Sequence, residues 1–482
     1  MEELRNVNVL DYKIPISADV VAQASMSTYN FNPNMYEQAK ENDIMQVDFQ
    51  EGDDFIDPAN SYIRLKVKFN IANASIYSFG KVAHDGLARS DYYESNTGES
   101  VLNLIKHVEL VTKTGEKIFQ ENFKNEMATL RNYKINLARK QSLSFMGGYS
   151  QTLGFPYFGA NTKETTFYIP LTEISSFFNS QLIPYRLLSG AILRLTLSDP
   201  QKSIFAYTIA NDLVSNPVQR LNTTNMTISN VALILSEKQL YPEVKQAINK
   251  QISSPEGLQY SYYTNHTFVY KFPPSVENPP GTRIGSDYTI PINLSVGKIK
   301  YIAMKPTPID AIKVDFCYPS ATWSQINNIN GNPNSRQDLP FKIKVRLGND
   351  VLSTYDVETI PEMYEQTAKA LANISFPDCH DVDVKRNINK KSTGVVGFND
   401  YFQYFVQGGG QTDTRNTKGL IFAFDFERTK ALGLSGVSTN MERLLEIDLL
   451  DYRSANSRDW YFSIMYLSEA NLFADGSIAI NK

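Results

Sequence analysis

Eight residues set the terms for this chain. From Tyr62 to Phe69, Ile63, Leu65, Val67 and Phe69 alternate with Arg64, Lys66 and Lys68. Successive side chains of a strand point to opposite faces, so this run predicts a strand with one face in a core and one in water. The same apolar and basic alternation returns at Phe341–Leu347. Short alternating or apolar runs recur between turn residues along the whole chain, which places it in the all-β class. The 28 Tyr and 27 Phe favour the same class, because aromatic side chains suit a pleated, half-buried surface.

One longer stretch, Phe167–Asp199, shows how such strands are linked. It opens on the apolar strand Phe167–Leu171, and Glu173–Ser180 can turn helically and carries Phe177-Phe178. A Leu182-Ile183-Pro184 corner follows, then the closing strand Ile192–Leu197, apolar at alternate positions with Leu193 out of step. Strand, excursion, corner and return strand describe a β-sandwich with decorated loops.

A chain of 482 residues is too long for one ordinary domain. Residues 1–43 are polar and predict an arm, and a first sandwich is expected over 44–240. It holds a hairpin through the turn Lys113–Glu116 and a helix over Asn125–Lys140. Residues 241–257 predict a linker: a short helix with Pro242 at its first position, then Ser253-Ser254-Pro255-Glu256-Gly257. A second sandwich with a closing tail is expected over 258–482, with a helix at Pro361–Ala372. Residues 72–100, 201–224, 376–398 and 407–418 are expected to be long loops.

Three features occur in both halves in the same order. A glycine turn precedes a Glu-Met pair: Gly115 with Glu126-Met127, and Gly348 with Glu362-Met363. A closing strand ends in Asp, at Ile192–Asp199 and at Leu444–Asp451. A last strand carries Leu-Ser-Glu, at Leu235–Glu237 and at Leu467–Glu469. Together they predict duplication of one sandwich.

Chemistry is harder to find. His84, His107, His266 and His380 have no second His or Cys at metal-ligand spacing. Cys379-His380 with Asp381 and Asp383 is the best cluster, and it reads as a solvated loop. Cys317 and Cys379 make no disulfide framework, though they allow one bridge, and reducing conditions are the better fit. Gly408-Gly409-Gly410 lacks the Lys of a phosphate loop, and no nucleophile elbow occurs. Asp53-Asp54 and the Asp448, Asp451 pair read as strand-edge charges. The basic groups Arg131, Lys134, Arg139, Lys140 and Lys385, Arg386, Lys390, Lys391 read as solvated surface, with contact to phosphate or an acidic partner as the alternative. The formal net charge of −4 argues against whole-chain wrapping of nucleic acid. The opening residues lack a signal-peptide pattern, and no run reaches the ~20 apolar residues of a membrane helix. No catalytic, metal or cofactor-binding residue is assigned, and no cofactor is expected.

The chain resembles the double jelly-roll major capsid proteins of nucleocytoplasmic large DNA viruses, virophages, and polinton- and adintovirus-like elements. The resemblance rests on Pro58 with Asn60–Leu65, on Leu104–Leu110 with the Gly115 turn, and on Phe167–Leu197. Phe272-Pro273-Pro274 and Lys298–Pro306 look like the start of the second jelly roll. It implies two tandem eight-stranded jelly-roll β-sandwiches with short helices in the loops, and no enzymatic activity. It implies a homotrimer forming a pseudo-hexagonal capsomer of an icosahedral shell, in contact with neighbouring capsomers and with minor capsid or penton proteins. It implies location in the virion, with assembly in the host cytoplasm or nucleus, and no sequence-specific nucleic acid partner. Two other readings stand beside it: a carbohydrate-binding or carbohydrate-active jelly-roll protein, and a nucleic-acid-binding assembly protein resting on the two basic groups.

Overall fold

The computed structural model describes residues 21–69, 76–78, 101–122, 157–159, 164–179, 182–199, 205–208, 219–221, 226–272, 276–277, 283–284, 286–306, 338–348, 350–352, 357–371, 422–426, 436–439, 444–451, 458–474 and 477–481. Eight strands build the first sandwich: β1 (Val21–Asn30), β2 (Ile44–Asp48), β3 (Phe55–Phe69), β4 (Ile105–Val111), β5 (Lys117–Asn122), β6 (Thr165–Pro170), β7 (Ile192–Leu197) and β8 (Met226–Leu240). Eight build the second: β9 (Leu258–Phe272), β10 (Ser286–Ile292), β11 (Ile299–Pro306), β12 (Asp338–Leu347), β13 (Asp350–Val351), β14 (Phe422–Asp425), β15 (Leu445–Asp451) and β16 (Arg458–Leu472). A short strand, β17 (Ile478–Asn481), follows, and two helices stand out: α1 (Pro242–Ile252) and α2 (Ile360–Leu371).

The sheets show the duplication directly. The first sandwich has sheets ordered β1-β8-β3-β6 and β2-β7-β4-β5. The second has β9-β16-β11-β14 and β10-β15-β12-β13. Adding eight to each label of the first pair gives the second, and the described ladders of both are antiparallel. This is jelly-roll connectivity twice over. The repeated features fall on equivalent elements. Gly115 and Gly348 close the β4–β5 and β12–β13 turns with positive φ (92° and 58°), which glycine adopts without steric cost. The two closing strands are β7 and β15, and both Leu-Ser-Glu runs lie in β8 and β16. Glu126-Met127 lies outside the described residues. Phe341–Leu347, in β12, is not the counterpart of Tyr62–Phe69, in β3; that counterpart is β11. Their likeness is one of pattern only.

Alternation placed the core correctly. Ile63, Leu65 and Val67 are buried, as are Ile343, Val345 and Leu347. In β7 the buried apolar set is Leu193, Leu195 and Leu197, with Thr196 buried as well, so the apolar residue out of step is Ile192 and not Leu193. Its outward position is set by register: Ile192 pairs with Asp48 and Val111 while Leu193 faces the core.

The expected arm needs correction. Residues 1–20 lie outside the described residues, but Val21–Asn30 is a full edge strand paired with β8. Its polar sequence hid it, because an edge strand is held by main-chain bonds and exposes most of its side chains. The inward polar groups are matched. The Glu237 carboxylate accepts hydrogen bonds from Ser27 (2.7 Å), Tyr29 (2.9 Å) and Tyr185 (2.6 Å). Burial pushes the pKa of both phenols up, so they stay neutral donors. In the second sandwich Ser261 Oγ, on β9, approaches Glu469 at 3.4 Å. The Glu of the repeated Leu-Ser-Glu thus meets hydroxyls of the neighbouring edge strand in both halves.

Two of the expected loops also carry strands. Ile76–Ser78, Tyr157–Gly159, Phe205–Thr208 and Gln219–Leu221 form one four-stranded antiparallel sheet. These pieces lie within 72–100, 201–224 and the segment before β6, and they are too short to show a period in sequence. The expected loops 376–398 and 407–418 and the helix over Asn125–Lys140 lie outside the described residues. Among the described residues no helix is long and apolar enough to cross a membrane.

Candidate functional site

The residues weighed for chemistry in the sequence are dispersed. His107, on β4, lies 3.0 Å from the Thr196 hydroxyl on β7. His266 is an exposed residue of β9. Asp53 accepts a bond from Arg186 (2.8 Å), and Asp54 pairs with Lys245 of α1 (3.2 Å). Asp448 is gripped by Arg346 through two bonds of 2.6 and 2.8 Å and also accepts from Thr289 (2.7 Å). Asp53 and Asp54 stand just before β3 and Asp448 lies in β15, and each is ion-paired. His84, His380, both cysteines, the triple glycine and both basic groups lie outside the described residues. Among the described residues no group of three or more His, Cys, Asp and Glu is placed to hold a metal ion.

What the fold does build is a junction between the two sandwiches. Strands β9 and β16 are each 15 residues long and pair along their whole length. At about 3.3 Å per residue such a strand spans roughly 50 Å, enough to serve two cores. One end of the pair, Phe268, Trp460, Phe462 and Ile464, packs in the second core. The other end, Leu258, Tyr262, Ala470 and Leu472, packs with the first core. A single ladder therefore runs from one hydrophobic core into the other.

The excursion after β6 meets that ladder. It is two turns of 3₁₀ helix, Leu171–Glu173 and Ser176–Asn179, which fold Phe177 and Phe178 inward until both are fully buried. Phe177 packs edge-on to Tyr262 and tilted against Tyr260, each at 5.0 Å between ring centres. Phe178 packs edge-on to Phe119 of β5 at 5.6 Å. These are the offset and edge-to-face geometries that aromatic quadrupoles favour.

Several polar groups pair across the junction, while the buried side-chain oxygens of Asn265 and Asn471 have no hydrogen-bond partner among the described residues. Tyr260 donates to the Phe177 carbonyl (2.7 Å) and Tyr262 to the Ile118 carbonyl (2.6 Å). Glu121, buried at the end of β5, accepts from Asn265 of β9 (2.9 Å) and from Ser175 (3.3 Å). Asn122 Nδ2 reaches the Thr267 hydroxyl at 3.3 Å. Burial pushes the Tyr466 phenol up to about 12, and the Glu121 carboxylate adds to the shift. This seam of packed aromatics and cross-sandwich hydrogen bonds fixes relative orientation, because a tilt of either sandwich would break those bonds and strand their buried donors and acceptors. Sequence reasoning missed this seam. Phe177-Phe178 was visible, but its partners Phe119, Tyr260 and Tyr262 lie 58 to 85 positions away and no local pattern links them.

No family model and no curated protein matches the chain. Solved structures do. The quasi-atomic model of the PBCV-1 virus capsid aligns with a TM-score of 0.54 at 11% identity, covering 98% of this chain and 99% of that one. The faustovirus major capsid protein aligns with a TM-score of 0.54 at 9% identity, covering 98% and 94%. The crystal structure of PBCV-1 VP54, fitted into a cryo-EM reconstruction of the virophage Sputnik, gives 0.52 at 10% identity, covering 98% and 99%. At these identities the likeness is one of fold, and it extends over both jelly rolls.

Proposed function

We propose that this chain is a structural shell protein, a major capsid protein whose copies associate as trimers into pseudo-hexagonal capsomers of an icosahedral DNA-virus shell. The observation that carries this reading is the junction. Two jelly rolls of identical strand order are fused through one continuous ladder into a single block, which is what a subunit needs to place two equivalent sandwiches in a ring. Three such blocks supply six sandwiches. In this reading residues 241–257 link the two units, and the remaining partners are neighbouring capsomers and minor or penton proteins of the virion. The likeness of fold to the PBCV-1 and faustovirus capsid proteins supports it.

The role is structural rather than catalytic. The carbohydrate alternative asks for a groove with free carboxylates, yet Asp53, Asp54 and Asp448 are each engaged by a cation. Light scattering of the purified protein tests the proposal. The expected mass is about three times the 54.5 kDa of the chain, and images should have a pseudo-sixfold outline. A stable monomer at micromolar concentration would overturn it.

A further inference from the structure

The two sandwiches differ at one edge, and the difference assigns a role to β17. In the first sandwich β3 is long enough to pair with β8 almost to its end, through Glu237↔Ile56 and Lys238↔Phe55. In the second, β11 stops early: its pairing with β16 runs only from Trp460 to Tyr466. The last residues of β16 would then have an open edge beside the junction. β17 fills that gap, pairing Glu469↔Asn481, Ala470↔Ile480, Asn471↔Ala479 and Leu472↔Ile478. It stands where the first half of β3 stands in the other sandwich.

We infer that β17 is a clasp that locks the two sandwiches together. Ile478 and Ile480 pack against the hydrophobic cluster of the first core, which also takes in the fully buried Ala470 and Leu472 of β16. The Ser468 hydroxyl lies 3.0 Å from the Asn481 carbonyl and 3.3 Å from the Tyr262 hydroxyl, in position to donate to either. Tyr262 in turn bonds the first sandwich at Ile118. A run of contacts thus leads from β17 through Ser468 and Tyr262 to β5. The strand has four residues, so few main-chain bonds hold it and it can leave without unfolding either sandwich. Its release would bare the β16 edge and the apolar floor of the junction at once.

The inference concerns one chain and does not rest on the capsid reading; oligomeric state plays no part in its readout. Two variants test it: a chain ending at Ala474, and Ile478→Ala with Ile480→Ala in the full chain. Hydrogen exchange read by mass spectrometry should rise at least tenfold at Tyr260–Thr264 and Glu469–Leu472 in both. Protection at Phe422–Phe424 and Trp460–Phe462, in the second core, should hold. Adding the peptide Ser477–Lys482 to the shortened chain should restore the lost protection. Unchanged exchange at the junction overturns the inference. So does uniform loss across the second sandwich, since β17 would then be a general stabiliser. Should the shortened chain fail to fold, the double variant, which keeps the strand backbone, decides by the same two criteria.

Discussion

Tyr262 donates its hydroxyl proton across the junction to the main-chain oxygen of Ile118, 2.6 Å away. Burial raises the pKa of this phenol and keeps it a neutral donor. Tyr262→Phe preserves the ring against Phe177 and removes the bond. A buried hydrogen bond lost in this way costs about 1–2 kcal/mol, whereas Phe177→Ala, which also leaves a cavity, should cost about 3–5 kcal/mol. Urea midpoints with unchanged m-values measure both. Equal midpoints for Tyr262→Phe and the parent chain would mean that the bond contributes nothing net.

Gly257 supplies the second prediction. It opens β9 at φ +69°, and a Cβ there would stand 2.6 Å from the Leu472 oxygen of β16. Gly257→Ala is therefore strained twice, by conformation and by contact with backbone that cannot swing aside. Gly115 is the internal control: its φ is +92°, but a Cβ would meet nothing within 4 Å. Gly115→Ala should cost about 1 kcal/mol and Gly257→Ala at least twice that. Equal thermal shifts for the two would remove the contact from the account.

Legibility in the sequence followed the physics of each element. Strands with one wet and one dry face, such as Ile63–Val67 and Ile343–Leu347, were visible because alternation is local. The repeat was visible because turn glycines and the Leu-Ser-Glu runs keep their order. The edge strand Val21–Asn30 was not, since main-chain bonds hold it and its inward Ser27 and Tyr29 are polar by design of the Glu237 contact. The junction was hidden for another reason. Phe177, Tyr260 and Tyr262 are ordinary aromatics of a β chain until folding brings them together.

Acid should weaken the second sandwich through Asp448. The two bonds from Arg346 hold its carboxyl below the usual range, although partial burial opposes this. Glu109 of the first sandwich behaves alike: burial raises it, but Lys117 and Arg194 outweigh that and leave it lowered. A carboxylate with a depressed folded pKa stabilises the fold above its unfolded value of about 4, and that contribution disappears as pH falls through the folded value. Asp448→Asn should cost about 1 kcal/mol or less at neutral pH, because the pair is partly exposed to solvent. Below about pH 4 its stability should fall less steeply than that of the parent chain. Parallel acid limbs for the two proteins would rule the ion pair out as a source of the pH dependence.

Alkali should act at the junction, and with the opposite sign. Tyr466 is pushed up to about 12, first by burial and then by the Glu121 carboxylate. In the unfolded chain the phenol ionises near 10, so between about 10 and 12 the unfolded state has lost a proton that the folded state keeps. Stability from this residue is complete below pH 10 and is lost as pH rises through the folded value. Tyr466→Phe has no proton to lose, so its urea midpoint should fall less between pH 9 and about 11 than that of the parent chain. Tyr262, whose pKa is raised by burial, pulls in the same direction, and Tyr262→Phe with Tyr466→Phe should flatten the alkaline limb further. Absorbance at about 295 nm separates phenol ionisation from unfolding, because buried tyrosines ionise only as the junction opens. If the parent chain and Tyr466→Phe lose stability in parallel, the phenol ionises as readily folded as unfolded. Neither burial nor the Glu121 carboxylate then holds the folded phenol above its unfolded value.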